Sequence, residues 1–67
     1  MTFTTMNDAR AYAESILHDD ARPDEIEYVA GEAWELGSTD AFKAEYPDDG
    51  PAWMALLDAA AYSADLD

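Results

Sequence analysis

The sequence predicts an all-α fold, a compact bundle of three main helices and one short helix in a single domain over residues 1–67. Apolar residues recur at helical rather than strand spacing. Proline, glycine and helix-capping residues divide the chain into four such segments. Hydrophobic residues make up 49% of the chain and include Trp34 and Trp53, so a core is expected although the sequence is strongly acidic.

The first helix is expected to begin near Thr5, whose hydroxyl caps the first turn while Asp8 completes a capping box three residues later. His18 would lie in its last turn, where a cation is favoured. The β-prone segment 2–5 around Phe3 is too short to form a strand without a partner, so no strand is assigned. The inner face of this helix is predicted to consist of Met6, Ala9, Ala13, Ile16 and Leu17.

The second helix is expected to open at Pro23, because proline is tolerated at the first helical position, and to end at Gly37. Gly31 lies inside it and costs about 1 kcal/mol relative to alanine. Close packing against another helix is the default explanation for this glycine, and the approach of a partner is the alternative. The predicted inner face is Ile26, Val29, Ala30, Ala33 and Leu36.

The third helix is short, and Ser38 or Thr39 is predicted to cap it. It ends at about Glu45, since the residue before a proline is disfavoured in the α region and a turn over 47–50 follows. Pro51 can begin the fourth helix. The predicted inner face of that helix is Trp53, Leu56, Leu57, Ala60 and Ala64.

Charge is the most unusual property of the chain. It contains 16 acidic and 3 basic residues, for a formal net charge of -13. Concentrating like charge on a small body costs stability through self-repulsion, which suggests that the electric field itself has a use. Because small domains have little core, we expect a monomer or a weak homodimer.

Several classes of protein are disfavoured by what the sequence lacks. It has no cysteine for disulfide or thiolate chemistry. Residues 1–7 carry neither the basic residues nor the apolar run of a secretion signal, and the longest apolar run, 52–57, is too short to span a bilayer. We therefore expect a cytoplasmic protein with no membrane partner.

The sequence also offers no arrangement typical of catalysis or metal binding. His18 is the only imidazole, and no cysteine or second histidine accompanies it. A calcium loop with Gly50 at its sixth position would place proline and leucine at ligand positions. The acidic pairs 19–20 and 48–49 suit a helix end and a turn better than Mg²⁺. We expect neither enzymatic activity nor a cofactor or metal.

The outer surface of the second helix is the predicted binding site. Its carboxylates follow about 16 Å of helix axis, or one charge per roughly 3 to 4 Å, close to the spacing of about 3.4 Å between phosphates along one DNA strand. No basic residue follows Arg22 in this helix, so the repulsions are expected to be unrelieved. A solvated helix face is the plainer interpretation. The candidate partner-binding residues are Asp19, Asp20, Asp24, Glu25, Glu27, Tyr28, Glu32 and Glu35.

Through these seven carboxylates, and in its size, acidity and helical pattern, the chain resembles the small phage-encoded inhibitors that act as DNA mimics. The resemblance is to anti-CRISPR proteins aimed at type I surveillance complexes in particular. It implies a non-enzymatic inhibitor that occupies a basic DNA-binding or PAM-binding surface of an effector protein and does not bind nucleic acid itself. Tyr28, predicted to point outward among the carboxylates, would anchor the contact.

Two other functions agree with the same composition. A small domain adapted to high salt would also combine many acidic residues with few lysines. An adaptor or antitoxin-like module would mask a basic partner protein and have no role connected with DNA. The salt-adapted domain differs from a DNA mimic in that its folding should depend on salt. The adaptor differs in the partner that affinity capture should identify.

Overall fold

The chain folds into four helices over the residues that the structure, a computed structural model, describes, namely 2–17, 19–47 and 50–66. The helices are α1 (Met6–Ile16), α2 (Pro23–Leu36), α3 (Thr39–Glu45) and α4 (Pro51–Leu66). The predicted all-α fold of three main helices and one short helix is confirmed. His18 and the acidic pair 48–49, to which the sequence assigned a helix end and a turn, lie outside the described residues.

The helix ends follow from local sequence signals. Thr5 Oγ1 accepts a hydrogen bond from the Asp8 backbone N–H at 3.3 Å, and Asp8 Oδ2 accepts one from the Thr5 N–H at 3.2 Å. Ser38 Oγ accepts from the Ala41 N–H at 3.1 Å at the start of α3. Gly37 ends α2 with a φ of 93°, in the left-handed region that glycine adopts without a Cβ clash. These caps were predicted from the residue types.

The central helix of the bundle is α2, which packs against α1 and α4 and also contacts α3. Its Val29, Ala30 and Ala33 are fully buried. Phe42 of α3, only 2% exposed, fills the centre, with its ring centroid 5.5 Å from that of Tyr12 and 6.1 Å from that of Trp53. Small residues therefore bring the helices close together, and a few aromatic rings fill the remaining volume.

The amino-terminal segment contributes more to the core than its sequence indicated. The Phe3 N–H donates to the Gly37 carbonyl at 2.9 Å, and Thr2 forms an isolated antiparallel bridge with Ser38. The Phe3 side chain is 6% exposed and lies 5.7 Å from the Tyr12 ring. Among the described residues no strand forms, as predicted, but the segment covers one end of the core.

Two expectations for α2 were wrong. Trp34, expected to help build the core, is 41% exposed. Gly31, expected to allow close helix packing, has no atom of a neighbouring side chain or helix within 4 Å of the position that a Cβ would take. Helical rotation places Gly31 opposite the buried alanines, whereas Trp34 lies at the edge of the buried face and is left partly exposed by the way the helices pack.

Candidate functional site

The outward face of α2 carries the residues predicted to lie there, namely Asp24, Tyr28 and Glu35. Glu27, predicted on the flank of this face, is exposed as they are, and Tyr28 is exposed over 36% of its surface. Asp24 lies in the first turn, where a carboxylate interacts favourably with the helix dipole. Glu27 lies at the side of this face nearest α1, where Arg10 contacts it, and all four side chains are exposed, so a partner can reach them without any change in the packing of the bundle.

Two of the predicted carboxylates lie at the sides of α2, as expected for Glu32, and are held by neighbours. Glu25 Oε1 accepts from Arg22 Nε at 3.0 Å. Glu32 Oε2 accepts from the Tyr46 hydroxyl at 3.2 Å. Both glutamates are half-buried. The density of exposed charge along α2 is therefore lower than predicted, which was one charge per roughly 3 to 4 Å of helix axis.

The expectation that repulsion in this helix is unrelieved was also wrong, because arginines before and beside α2 reach its carboxylates. Arg10 of α1 places Nε 2.7 Å from Glu27 Oε1, and this hydrogen bond and ion pair raises the pKa of Arg10. Arg22 places Nη1 2.9 Å from Asp65 Oδ1 while it binds Glu25, and these contacts raise its pKa, the one with Glu25 most strongly. The two arginines therefore tie α1 and α4 to α2.

Asp19 and Asp20 complete the predicted set. Both are exposed and lie in the turn that joins α1 to α2. They precede Asp24 along the chain, and Asp19 lines a recess with Glu14 and Leu17 of the α1 side and Ile26 of α2.

Gly31 lies at the centre of the outward face. Residues three and four positions away are its neighbours on a helix surface, which places Tyr28 and Trp34 on one diagonal and Glu27 and Glu35 on the other. We call these five residues the Gly31 patch. Apart from its chain neighbours, no side chain comes within 4 Å of the missing Cβ, so the space above Gly31 is open to solvent. Trp34 was not among the predicted site residues, although its position three residues after Gly31 was a signal for it.

A second surface feature is a cleft of about 400 Å³ between α1, α3 and the start of α4. Tyr12, Phe42, Tyr46 and Trp53 form its aromatic wall, and Lys43 lies at its edge. In the described part of the chain, no ion pair involves Lys43. Burial and the nearby Glu32 carboxylate raise the pKa of Tyr46 above its ordinary value of 10.0, so its hydroxyl remains a hydrogen-bond donor at neutral pH.

The described residues contain no group of three or more histidine, cysteine, aspartate or glutamate side chains placed to hold a metal ion. None of the helices in the same ranges is both long and apolar enough to cross a membrane. Comparison with known proteins yields no match to a family model, to a curated protein or to a solved structure.

Proposed function

We propose that this protein is a non-enzymatic inhibitor that acts as a DNA mimic. Its carboxylates would occupy a basic surface with which a nucleic-acid-binding protein grips DNA. The observation that carries the proposal is the outward face of α2, where the exposed carboxylates of Asp24, Glu27 and Glu35 lie beside the exposed rings of Tyr28 and Trp34.

The exposed rings favour a protein partner over a merely solvated face. A domain of this size buries too little apolar surface to be very stable, and an indole in the core would contribute more than one in water. Trp34 nevertheless remains 41% exposed. Aromatic side chains surrounded by charged ones are typical of protein interfaces, where the rings hold the partner and the charges orient it.

The net charge supports a basic partner. Two of the three basic residues, Arg10 and Arg22, are engaged in ion pairs, and a net charge of -13 remains. Opposite charge speeds association, and salt screens the effect over about 8 Å at physiological ionic strength. The target class implied by the resemblance is a type I CRISPR surveillance complex, whose PAM-reading surface is basic, and the site of action would be a bacterial cytoplasm.

A competition assay tests the proposal. A labelled PAM-bearing duplex is bound to a type I surveillance complex, or to other DNA-binding effectors, and the protein is titrated in at low and at raised salt. We expect DNA to be released, and release to weaken as salt rises. Asp24→Asn, Glu27→Gln and Glu35→Gln together should weaken competition about tenfold, since exposed pairs contribute about 0.5 kcal/mol each.

The matched control neutralises three exposed carboxylates on α1 and α3, namely Glu14, Asp40 and Glu45. It changes the net charge equally and should retain most of the competition. If no DNA-binding effector loses DNA at low salt, and the α2 variant behaves like the parent protein, the proposed function is wrong.

Unfolding measured against KCl concentration tests the alternative of a salt-adapted domain. Such a domain should lose its helices at low salt because its carboxylates need a high concentration of cations. A DNA mimic from an ordinary cytoplasm should remain folded there. Circular dichroism across the salt series gives the answer independently of any partner.

A further inference from the structure

We infer that the Gly31 patch is a receptor for an arginine side chain of the partner, and that it selects arginine over lysine. This inference deepens the proposed function by naming the partner group that α2 recognises. It rests on the proposed function for the presence of a basic partner, and on the geometry of α2 for the choice of arginine.

The packing of the fold does not explain why position 31 is a glycine. Glycine inside a helix costs about 1 kcal/mol relative to alanine, and the usual compensation is a close contact that a Cβ would prevent. Nothing lies within 4 Å of the Cβ position here, and the backbone is helical, unlike that of Gly37. The missing side chain therefore leaves open space on a surface, and that space can admit a group from another molecule.

Two aromatic residues of the Gly31 patch flank the glycine along the helix. Tyr28 and Trp34 lie on either side of Gly31 about 9 Å apart along the helix axis, at about 1.5 Å per residue. Both rings are exposed, at 36% and 41%. A flat guanidinium that enters between them can stack on a ring face, and because it is weakly hydrated it loses little by doing so.

The Gly31 patch also carries two negative charges. Glu27 and Glu35 occupy the other two corners, so a cation at the centre has a carboxylate on each side. Arg10 Nε holds Glu27 at 2.7 Å while half of the Glu27 side chain, 50%, remains exposed. Arg10 therefore positions this corner from α1 without covering it. A guanidinium can donate to both carboxylates at once, whereas an ammonium acts as a point charge.

Binding of two peptides of equal length and charge tests the inference. A capped oligo-arginine peptide and a capped oligo-lysine peptide are titrated into the intact protein by calorimetry at one fixed ionic strength. Stacking on exposed rings predicts that the arginine peptide binds about two- to fivefold more tightly. In a Trp53→Phe variant, in which Trp34 is the remaining indole, the arginine peptide should also change the fluorescence.

A variant that fills the open space above Gly31 is decisive. Gly31→Gln adds a side chain with good helix propensity and no charge, so it should stabilise α2 while it abolishes the preference for arginine. Ala11→Gln, at an exposed position of α1, adds the same side chain away from the patch and should leave the preference intact. Thermal unfolding of both variants checks that each is folded.

Three results would overturn the inference: equal binding of the two peptides, absence of binding by either at low salt, or a preference that persists in Gly31→Gln. Failure of the proposed function looks different. In that case the arginine preference and its loss in Gly31→Gln remain, but the protein displaces no DNA from any effector. Conversely, displacement of DNA without a preference for arginine leaves the proposed function in place and removes this inference.

Discussion

Residues of the same type have different roles in this protein, and their local surroundings tell the roles apart. Gly37 has a φ of 93° and ends α2, so its lack of a Cβ serves the fold directly. Gly31 has a helical backbone and open space around it, so its lack of a Cβ serves the surface. Tyr46 and Tyr28 differ in the same way, since the Tyr46 hydroxyl is bonded inside the bundle and the Tyr28 ring is exposed.

At this scale we predict that Tyr46 makes the protein sensitive to alkali. The raised pKa of Tyr46 arises first from burial and then from the Glu32 carboxylate, and both favour its protonated form in the folded state. The unfolded chain should ionise near the ordinary pKa of 10.0. Below that pH the contribution of Tyr46 to stability is fully present, and it is lost as the pH rises through the folded-state pKa.

The measurement is the ultraviolet absorbance of tyrosinate during alkaline titration, combined with circular dichroism. Tyr46→Phe should remove the component that ionises at the highest pH and flatten the loss of stability with pH. Tyr62→Phe, at a position that is 67% exposed, is the control and should leave both unchanged. An unaltered titration in Tyr46→Phe would contradict the assignment.

At the scale of elements, contacts from outside the helices hold several helices together. Phe3 precedes α1, yet its backbone bonds to Gly37 and its ring packs on Tyr12. Arg22 precedes α2, yet it reaches Asp65 near the end of α4. The helices are short, and helices of such length are marginal in isolation. Their stability therefore depends on these connecting contacts as well as on the buried faces.

We predict that Phe3→Ala destabilises the whole bundle, because it removes a buried ring from the end of the core. Phenylalanine-to-alanine changes in cores cost about 3–5 kcal/mol, which is a large part of the stability of a small domain. Thr4→Ala, at the exposed neighbouring position, is the matched control. Urea unfolding followed by circular dichroism measures both, and a Phe3→Ala midpoint equal to that of the control would disprove a core role for Phe3.

At the scale of the whole molecule, two of the three basic residues are placed where they join elements. Arg10 connects α1 to α2, and Arg22 connects the start of α2 to α4. Their contacts offset part of the repulsion between carboxylates at the surface, and a large excess of negative charge remains. Self-repulsion of that excess lowers stability, and salt reduces it by screening.

We predict that Arg22→Ala lowers the midpoint of thermal unfolding more than Lys43→Ala does, although each removes one positive charge. The reason is that Arg22 separates two carboxylates, those of Glu25 and Asp65, which would otherwise face each other. Added salt should restore much of the loss in Arg22→Ala because it screens that repulsion. Equal midpoints for the two variants at low salt would show that net charge alone matters.

The helices and most of their ends could be predicted from the sequence, because a cap, a proline or a glycine acts on residues within one turn of itself. Thr5 with Asp8, Pro23, Gly37 and Ser38 are such local signals. The outward positions of Asp24, Tyr28 and Glu35 followed from helical rotation in the same way.

Only the tertiary structure decided which carboxylates remain free to act and which residues share their surface. Glu25, Glu27 and Glu32 meet Arg22, Arg10 and Tyr46. The Arg10 and Tyr46 contacts join residues far apart in the chain, and Arg22 lies outside the helix whose charges the sequence analysis counted. The burial of Phe3 and the exposure of Trp34 likewise depend on how the helices pack. Periodicity specifies which face of a helix is apolar. The orientation of a long side chain depends on its contacts with residues of other helices.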